Sequence, residues 1–280
     1  MTAEAKQYHF LSGLPRSGNT LLSAILNQNP QVYSSPLSPV STIMYNTWTE
    51  LTDEYNIRNN ENRKRTEEFI SSSLDLFYKD VTKPIIIDRE KAWGTPNNLS
   101  MIKKYVTPNP KIIFTVRTIT DILASFINLN SNYLINEAYN AQYYSANYLT
   151  ENDLICEYLM RHYSDIDKSI LGLTSAFFPE NTGVFHIVEY ENLVNAPEET
   201  MTKIYEFLEL ENYKHNFSNI IKQEVDMDTM LGLPENLHDV HPVLTKSLTN
   251  TSVLSDYIKN KYSGMEFWRD GSLLQTRYQQ

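Results

Sequence analysis

The stretch that most constrains the fold lies near the start: Tyr8-His-Phe-Leu-Ser-Gly13-Leu-Pro-Arg-Ser-Gly18-Asn-Thr20-Leu-Leu-Ser-Ala-Ile-Leu26. An apolar run of strand length, residues 8–12, meets a loop bracketed by two glycines. A helix follows at once, with Leu21, Leu22, Ile25 and Leu26 on one face. Gly13 and Gly18 permit a tight turn, so the loop's N–H groups converge where the helix begins. Such amides form a cradle for an anion the size of a phosphate or sulfate.

The rest of the chain repeats this alternation. Lys83-Pro-Ile-Ile-Ile-Asp88, Lys111-Ile-Ile-Phe-Thr-Val116 and Gly183-Val-Phe-His-Ile-Val188 are continuous apolar runs of the kind that form buried parallel strands. A short strand is expected at Val32-Tyr33. The segment 34–39 follows as extended chain, because each proline disfavours helix just before it. Helical patterns cover 19–27, two stretches within 40–79 with a polar break at 56–62, then 97–106, 119–129 and a long 151–171. A further amphipathic helix runs from Pro197 to Leu208, opening with proline and acids. Thr95 is expected to cap the helix at 97–106 through its side-chain oxygen, with Pro96 in the first turn. Arg63-Lys-Arg65 beside Glu67-Glu68 reads as a solvated helix face with i,i+4 ion pairs. The Asn- and Tyr-rich stretch 130–150 reads either as a lid or as a surface insertion. The expectation is an α/β fold with a mainly parallel central sheet flanked by helices, a three-layer sandwich. Residues 1–280 read as one domain, with insertions at about 37–80 and 130–170.

The net charge of −10 argues against nucleic acid or another polyanion as partner. An anion site must therefore be a local concentration of Arg and Lys. Cys156 is the single cysteine and sits in an apolar helical context, so it reads as core, with no internal disulfide or cysteine metal cluster. No apolar run of signal-peptide or membrane-spanning length is present, and a cytoplasmic location is expected. In parallel α/β sheets ligands bind outside the carboxyl ends of the strands. The loop 13–19, Arg89, Lys91, Arg117 and Tyr190 all fall at that edge. Asn19 stands where a triphosphate-binding loop carries lysine, and Arg16 lies inside the loop instead.

At this point the chain resembles the sulfotransferase family, in its bacterial and tyrosylprotein-type branch. Four motifs carry the resemblance, in order and across most of the chain. Leu14-Pro-Arg-Ser-Gly-Asn-Thr-Leu-Leu22 is similar to the 5′-phosphosulfate loop. Ile86-Ile-Asp-Arg-Glu-Lys-Ala-Trp93 resembles the strand end that supplies a catalytic basic residue. Lys111 to Arg117 with Asp121-Ile-Leu-Ala-Ser125 resembles the 3′-phosphate motif. Tyr190-Glu-Asn-Leu with Pro197, Phe207 and Leu208 resembles the segment that follows. The resemblance implies the donor 3′-phosphoadenosine 5′-phosphosulfate (PAPS), the product adenosine 3′,5′-bisphosphate (PAP), in-line sulfuryl transfer and no metal. It implies that Pro15, Arg16, Ser17, Gly18, Asn19 and Thr20 hold the 5′-phosphosulfate, with the hydroxyls of Ser17 and Thr20 contributing. Arg117 and Ser125 would take the 3′-phosphate, and Tyr190 would lie against adenine. Arg16 is the expected cation on the transferring oxygens, with Arg89 or Lys91 as the second. The branch commonly has Lys then Arg at these two positions; here the order is swapped.

The general base has no clear counterpart. Tyrosylprotein members place a glutamate shortly after the first helix, where this chain has Ser34-Ser-Pro-Leu-Ser-Pro39, which counts against a protein-tyrosine acceptor. His238, ahead of His241 and Glu90, is the candidate base. His9 and His186 read as core. The acceptor reads as a small molecule, lipid or carbohydrate, with Trp48, Tyr133 and Tyr143 as aromatic walls. Two other readings remain at this stage. One is an ATP-dependent kinase with Asp88 holding Mg²⁺. The other is a non-catalytic nucleotide-binding relative.

Overall fold

The computed structural model describes residues 6–52, 60–129, 132–141, 150–222, 240–244 and 249–270. Five strands form one sheet: β1 (Gln7–Gly13), β2 (Val32–Leu37), β3 (Ile85–Arg89), β4 (Ile112–Val116) and β5 (Phe185–Glu189). Their order is β2-β3-β1-β4-β5, and every neighbouring pair is parallel. All five carboxyl ends therefore share one edge. β1 is central, so the loop that leaves it opens between the ends of β3 and β4. This is the point where the chain's progression across the sheet reverses, the usual place for a ligand in such folds.

The strands form because alternate residues bury on opposite faces. Leu11, Ile85, Ile87, Ile113 and Val188 pack with α1 (Asn19–Leu26) and, from late in the chain, the helix Pro197–Leu208. Phe10, Ile86 and Ile112 face the other way, onto α2 (Val40–Thr52), α3 (Asn60–Phe77) and α4 (Pro96–Tyr105). Phe114 and Val116 face that same side, against α5 (Ile119–Ile127), α7 (Glu151–Leu159) and α8 (Asp165–Thr174), with α6 (Asn132–Asn140) beside them. Every residue of β3 and β4 is buried, which is why these runs read as continuous rather than alternating hydrophobics. After β5 come α9 (Tyr190–Asn195), α10 (Pro197–Leu208) and α11 (Asp256–Tyr262). No described helix is long and apolar enough to cross a membrane.

Three local expectations are corrected. The single long helix expected over 151–171 is two helices, α7 and α8. Tyr163 between them is left-handed (φ 63°), which a right-handed helix cannot absorb. Ser164 then caps α8 by accepting the Asp167 N–H at 3.0 Å. Thr95 does not cap α4 with its side chain; its hydroxyl donates back to the Ala92 carbonyl at 2.8 Å, leaving Pro96 as the start signal. The strand at Val32-Tyr33 is longer than expected, reaching Leu37 through a register shift after Ser34.

Other readings match. Arg63 pairs with Glu67, Lys64 with Glu68 and Arg65 with Glu61, each four residues apart on exposed α3. Such pairs contribute little to stability. Cys156 is fully buried, and burial pushes its thiol up to about 12, so it remains a protonated core residue. One packing detail bears on the site. A side chain at Gly94, in the turn after β3, would sit 3.0 Å from the Gly172 carbonyl oxygen of α8, so helix and turn meet backbone to backbone.

Candidate active site

The loop from β1 to α1 is stapled to β4 before it turns. A Cβ on Gly13 would lie 2.2 Å from the Thr115 hydroxyl oxygen and 2.7 Å from its carbonyl oxygen, so only glycine fits there. The Leu14 N–H continues the ladder to the Thr115 carbonyl at 2.9 Å. Ser17 is fully buried. Its hydroxyl donates to the Leu14 carbonyl at 2.5 Å, lies 3.1 Å from the Thr115 carbonyl and shares a 2.6 Å hydrogen bond with the Thr115 hydroxyl. The structure thus turns this hydroxyl into the loop, where the sequence reading directed it at an anion. Asn19 Nδ2 donates to the same Leu14 carbonyl at 3.1 Å, closing the loop from within.

The loop's outer surface is different in character. Gly18, left-handed at φ 91°, is the N-cap of α1, and no side chain caps that helix. The first-turn amides of Asn19 and half-buried Thr20 are therefore left to whatever binds outside. Pro15 and Arg16 form the crest. Arg16 is itself left-handed (φ 61°), a conformation that costs a non-glycine residue about 1 kcal/mol. Its carbonyl accepts from Arg117 Nη1 at 3.1 Å, and its Nε donates to Ser125 Oγ at 3.1 Å.

Arg117 follows β4 and is 7% exposed. Besides the Arg16 carbonyl, it donates from Nη2 to the Thr249 hydroxyl. Its guanidinium carbon lies 4.3 Å from the centre of the Tyr190 ring. Its Nε is buried with no hydrogen bond. The Tyr190 ring, at the start of α9, also abuts Gly18, where a Cβ would come within 2.9 Å of it. The ring expected against adenine thus already packs on Gly18 and Arg117.

The flank formed by β3 carries two more cations. Arg89 ends the strand and is 7% exposed; its N–H donates to Ser35 Oγ at 2.8 Å, and its carbonyl accepts from Ser38 N–H at 2.9 Å. Lys91, two residues on, is tied through its carbonyl to the Ser12 hydroxyl of β1 at 2.7 Å. Its ammonium points outward and pairs with Asp165 at the start of α8, 2.5 Å away. Sequence reasoning missed Asp165, because only the fold brings it across 74 residues.

Asp88, the residue that a Mg²⁺-binding reading needs, is committed elsewhere. It is fully buried, with Oδ1 accepting from Trp93 Nε1 at 2.7 Å and Oδ2 from the Tyr78 hydroxyl. Burial raises its carboxyl, against the opposing hydrogen bonds from Tyr78, Trp93 and Ser38, to about 6. A folded-state value above the ordinary 3.8 means that stability from this group is fully present below pH 3.8 and is lost as pH rises through 6. Asp88→Asn, which keeps the shape, should therefore be at least as stable as the parent at pH 8, by up to an order of 2 kcal/mol. It should also flatten the stability profile between pH 4 and 7; denaturant melts across that range measure it.

The candidate bases divide. His238 and the aromatic Tyr143 lie outside the described residues. His241 is exposed. Glu90 turns a carboxylate oxygen onto the Ala92 N–H of its own turn. His9 and His215 are buried, and burial takes both down to about 4, so they are neutral core residues. Trp48 packs near Tyr45 with ring centres 6.0 Å apart, and Tyr133 is exposed on α6.

Fold and site together define a parallel α/β protein with an arginine-flanked anion cradle at the switch point of its sheet. The profile of the sulfotransferase family matches residues 9–215, and the chain belongs to that family. The fold agrees with that of a solved sulfotransferase domain. The sulfotransferase domain from the curacin biosynthetic pathway superposes with a TM-score of 0.54 at 16% identity, covering 93% of this chain and 98% of that one. The sulfotransferase domain of the Synechococcus PCC 7002 olefin synthase gives 0.47 at 17%, over 94% and 96%. A mouse sulfotransferase complexed with PAP gives 0.48 at 14%, over 95% and 90%. No curated protein matches the sequence.

Proposed function

We propose that the protein transfers the sulfuryl group of PAPS to a hydroxyl or amine of a small molecule, lipid or carbohydrate, releasing PAP without a metal. The whole chain would act as one cytoplasmic sulfotransferase domain, with the segments at about 37–80 and 130–170 forming the acceptor side. The observation that carries this reading is Arg117. It is a buried guanidinium with an idle Nε, bonded to the loop two residues before the N-cap of a helix that no side chain caps. A buried cation with an unused donor is costly unless an anion completes it. Two anion positions so close suit a nucleotide with phosphate at its 3′ and 5′ ends better than a linear triphosphate, which Asn19 also disfavours.

The donor supplies a sulfuryl group on a good leaving group. The chain's part is to position and to stabilise charge. The amides of residues 18–20 would hold the 5′-phosphosulfate, while Arg117 and Ser125 take the 3′-phosphate. Ser125 would then release Arg16 Nε, leaving that guanidinium to face the transferring oxygens from the loop crest. Lys91 or Arg89 would bear on them from the other flank. Thermal shift tests this: PAP at about 100 times its Kd should stabilise the protein by about 2.7 kcal/mol, and Mg-ATP should not. Stabilisation by Mg-ATP alone would overturn the reading.

A further inference from the structure

We infer that Asp165 is the general base of the reaction, held in reserve by Lys91 until the donor binds. This rests on the sulfotransfer reading above. A base for the acceptor must be a proton-accepting side chain at the carboxyl edge of the sheet, open to solvent and beside the transferring group. Among the described acidic residues at that edge, Asp88 is sealed between Tyr78 and Trp93, and Glu90 is bonded within its own turn. Asp121 and Glu191 open α5 and α9 behind β4 and β5, away from Lys91 and the β3 flank, and Glu191 has its Oε2 buried. Glu189 is held by both Arg269 Nε and Nη2. Asp165 is different. Its side chain is 62% exposed, it opens the first turn of α8, and it lies 2.5 Å from the ammonium of Lys91.

That contact couples base to donor. Lys91 is anchored by its backbone to β1 beside the cradle, while its side chain reaches away from the strand to Asp165. An anionic sulfuryl group in the cradle competes for the ammonium. Once Lys91 turns to it, the carboxylate beside it loses its closest positive partner and its proton affinity rises. Among the described residues, three cations act on Asp165: Lys91 from the turn after β3, Lys168 from α8 itself and Arg161 from the α7–α8 turn. Partial desolvation by the surrounding chain raises the carboxyl of this exposed side chain, but Lys91, by charge and hydrogen bond, together with Lys168 and Arg161, holds it below the ordinary range. Removing the largest of these attractions moves it upward, toward a value at which it can accept a proton. In the step itself the acceptor oxygen or nitrogen forms a bond to sulfur as the bond from sulfur to the bridging phosphate oxygen breaks. The electron pair stays on that oxygen, which leaves with PAP. The acceptor's proton passes to the Asp165 carboxylate and then to solvent.

The test uses the full chain, with calorimetric affinities for PAPS and PAP and turnover of sulfur-labelled PAPS. Water and a panel of phenols and alcohols serve as acceptors. Asp165→Asn should bind PAPS several-fold more tightly than the parent, because no ion pair has to open, while PAP, which lacks the sulfuryl group, binds equally to both. Turnover should fall about 100-fold or more, and the rise of rate with pH on the acid limb should disappear. Asp165→Glu should restore part of the rate. Unchanged PAPS affinity, or parental turnover in Asp165→Asn, overturns the inference alone. Failure of the parent protein to bind either nucleotide overturns the sulfotransferase reading instead.

Discussion

Arg16→Ala is expected to lower sulfuryl transfer about 100- to 1000-fold while changing PAP affinity by less than about threefold. The cost should fall on rate because, in the proposed reading, the guanidinium faces the transferring oxygens, whereas the amides and Arg117, which would bind the nucleotide, are untouched. The Arg117 contact is to the Arg16 carbonyl, which alanine retains. Backbone strain provides a control. Arg16 is left-handed, so Arg16→Gly relieves about 1 kcal/mol and should be no less stable than the parent. A glycine variant that is stable, binds PAP and has lost its activity isolates the role of the side chain. Rate measurements on both variants with PAPS, beside melts and calorimetry with PAP, decide it; an active Arg16→Gly protein would refute the assignment.

The second large effect is expected at Arg117. Arg117→Met should weaken PAP binding about 100-fold or more, since charge-assisted hydrogen bonds contribute about 1.5–3 kcal/mol each and two are lost. Methionine keeps the apolar contact with the Tyr190 ring and removes a buried charge, so folding should be spared. Arg117→Lys should recover little, because a single ammonium cannot reach the Arg16 carbonyl and a phosphate with a fork geometry. Calorimetry with PAP on the two variants measures both. If either variant retained parental PAP affinity, the 3′-phosphate would have to bind elsewhere.

Much of this architecture is readable from residue order. The runs at Ile85–Arg89 and Ile112–Val116 are apolar throughout because both faces are covered, and that pattern has few alternatives to a parallel strand. The glycines of the first loop likewise report a backbone constraint, which is local. The break between α7 and α8 was also legible: Ser164 with Asp167 three residues on is a capping signature, hidden by the apolar periodicity running through it. What residue order cannot supply is the direction of a side chain in a loop. Ser17 was as eligible to face an anion as to face Thr115, and its inward turn depends on β4, some hundred residues away. The Lys91–Asp165 pair is hidden for the same reason. Each residue is an ordinary surface charge until the fold brings α8 against the turn after β3.

That meeting of α8 with the turn has a consequence for how the enzyme can change. Gly94 and Gly172 touch with no side chain between them. Lys91 lies three residues before one glycine, and Asp165 seven before the other. The distance between them is thus set like a gauge block, by two bare backbones with nothing compressible in between. A side chain at Gly94 would press its Cβ to 3.0 Å from the Gly172 carbonyl oxygen and push turn and helix apart, whereas one at Gly172 would meet Gly94 at an ordinary 3.4 Å. Side chains along α6 and α7 can change without touching this spacing, but at Gly94 the turn has almost no room for a larger residue.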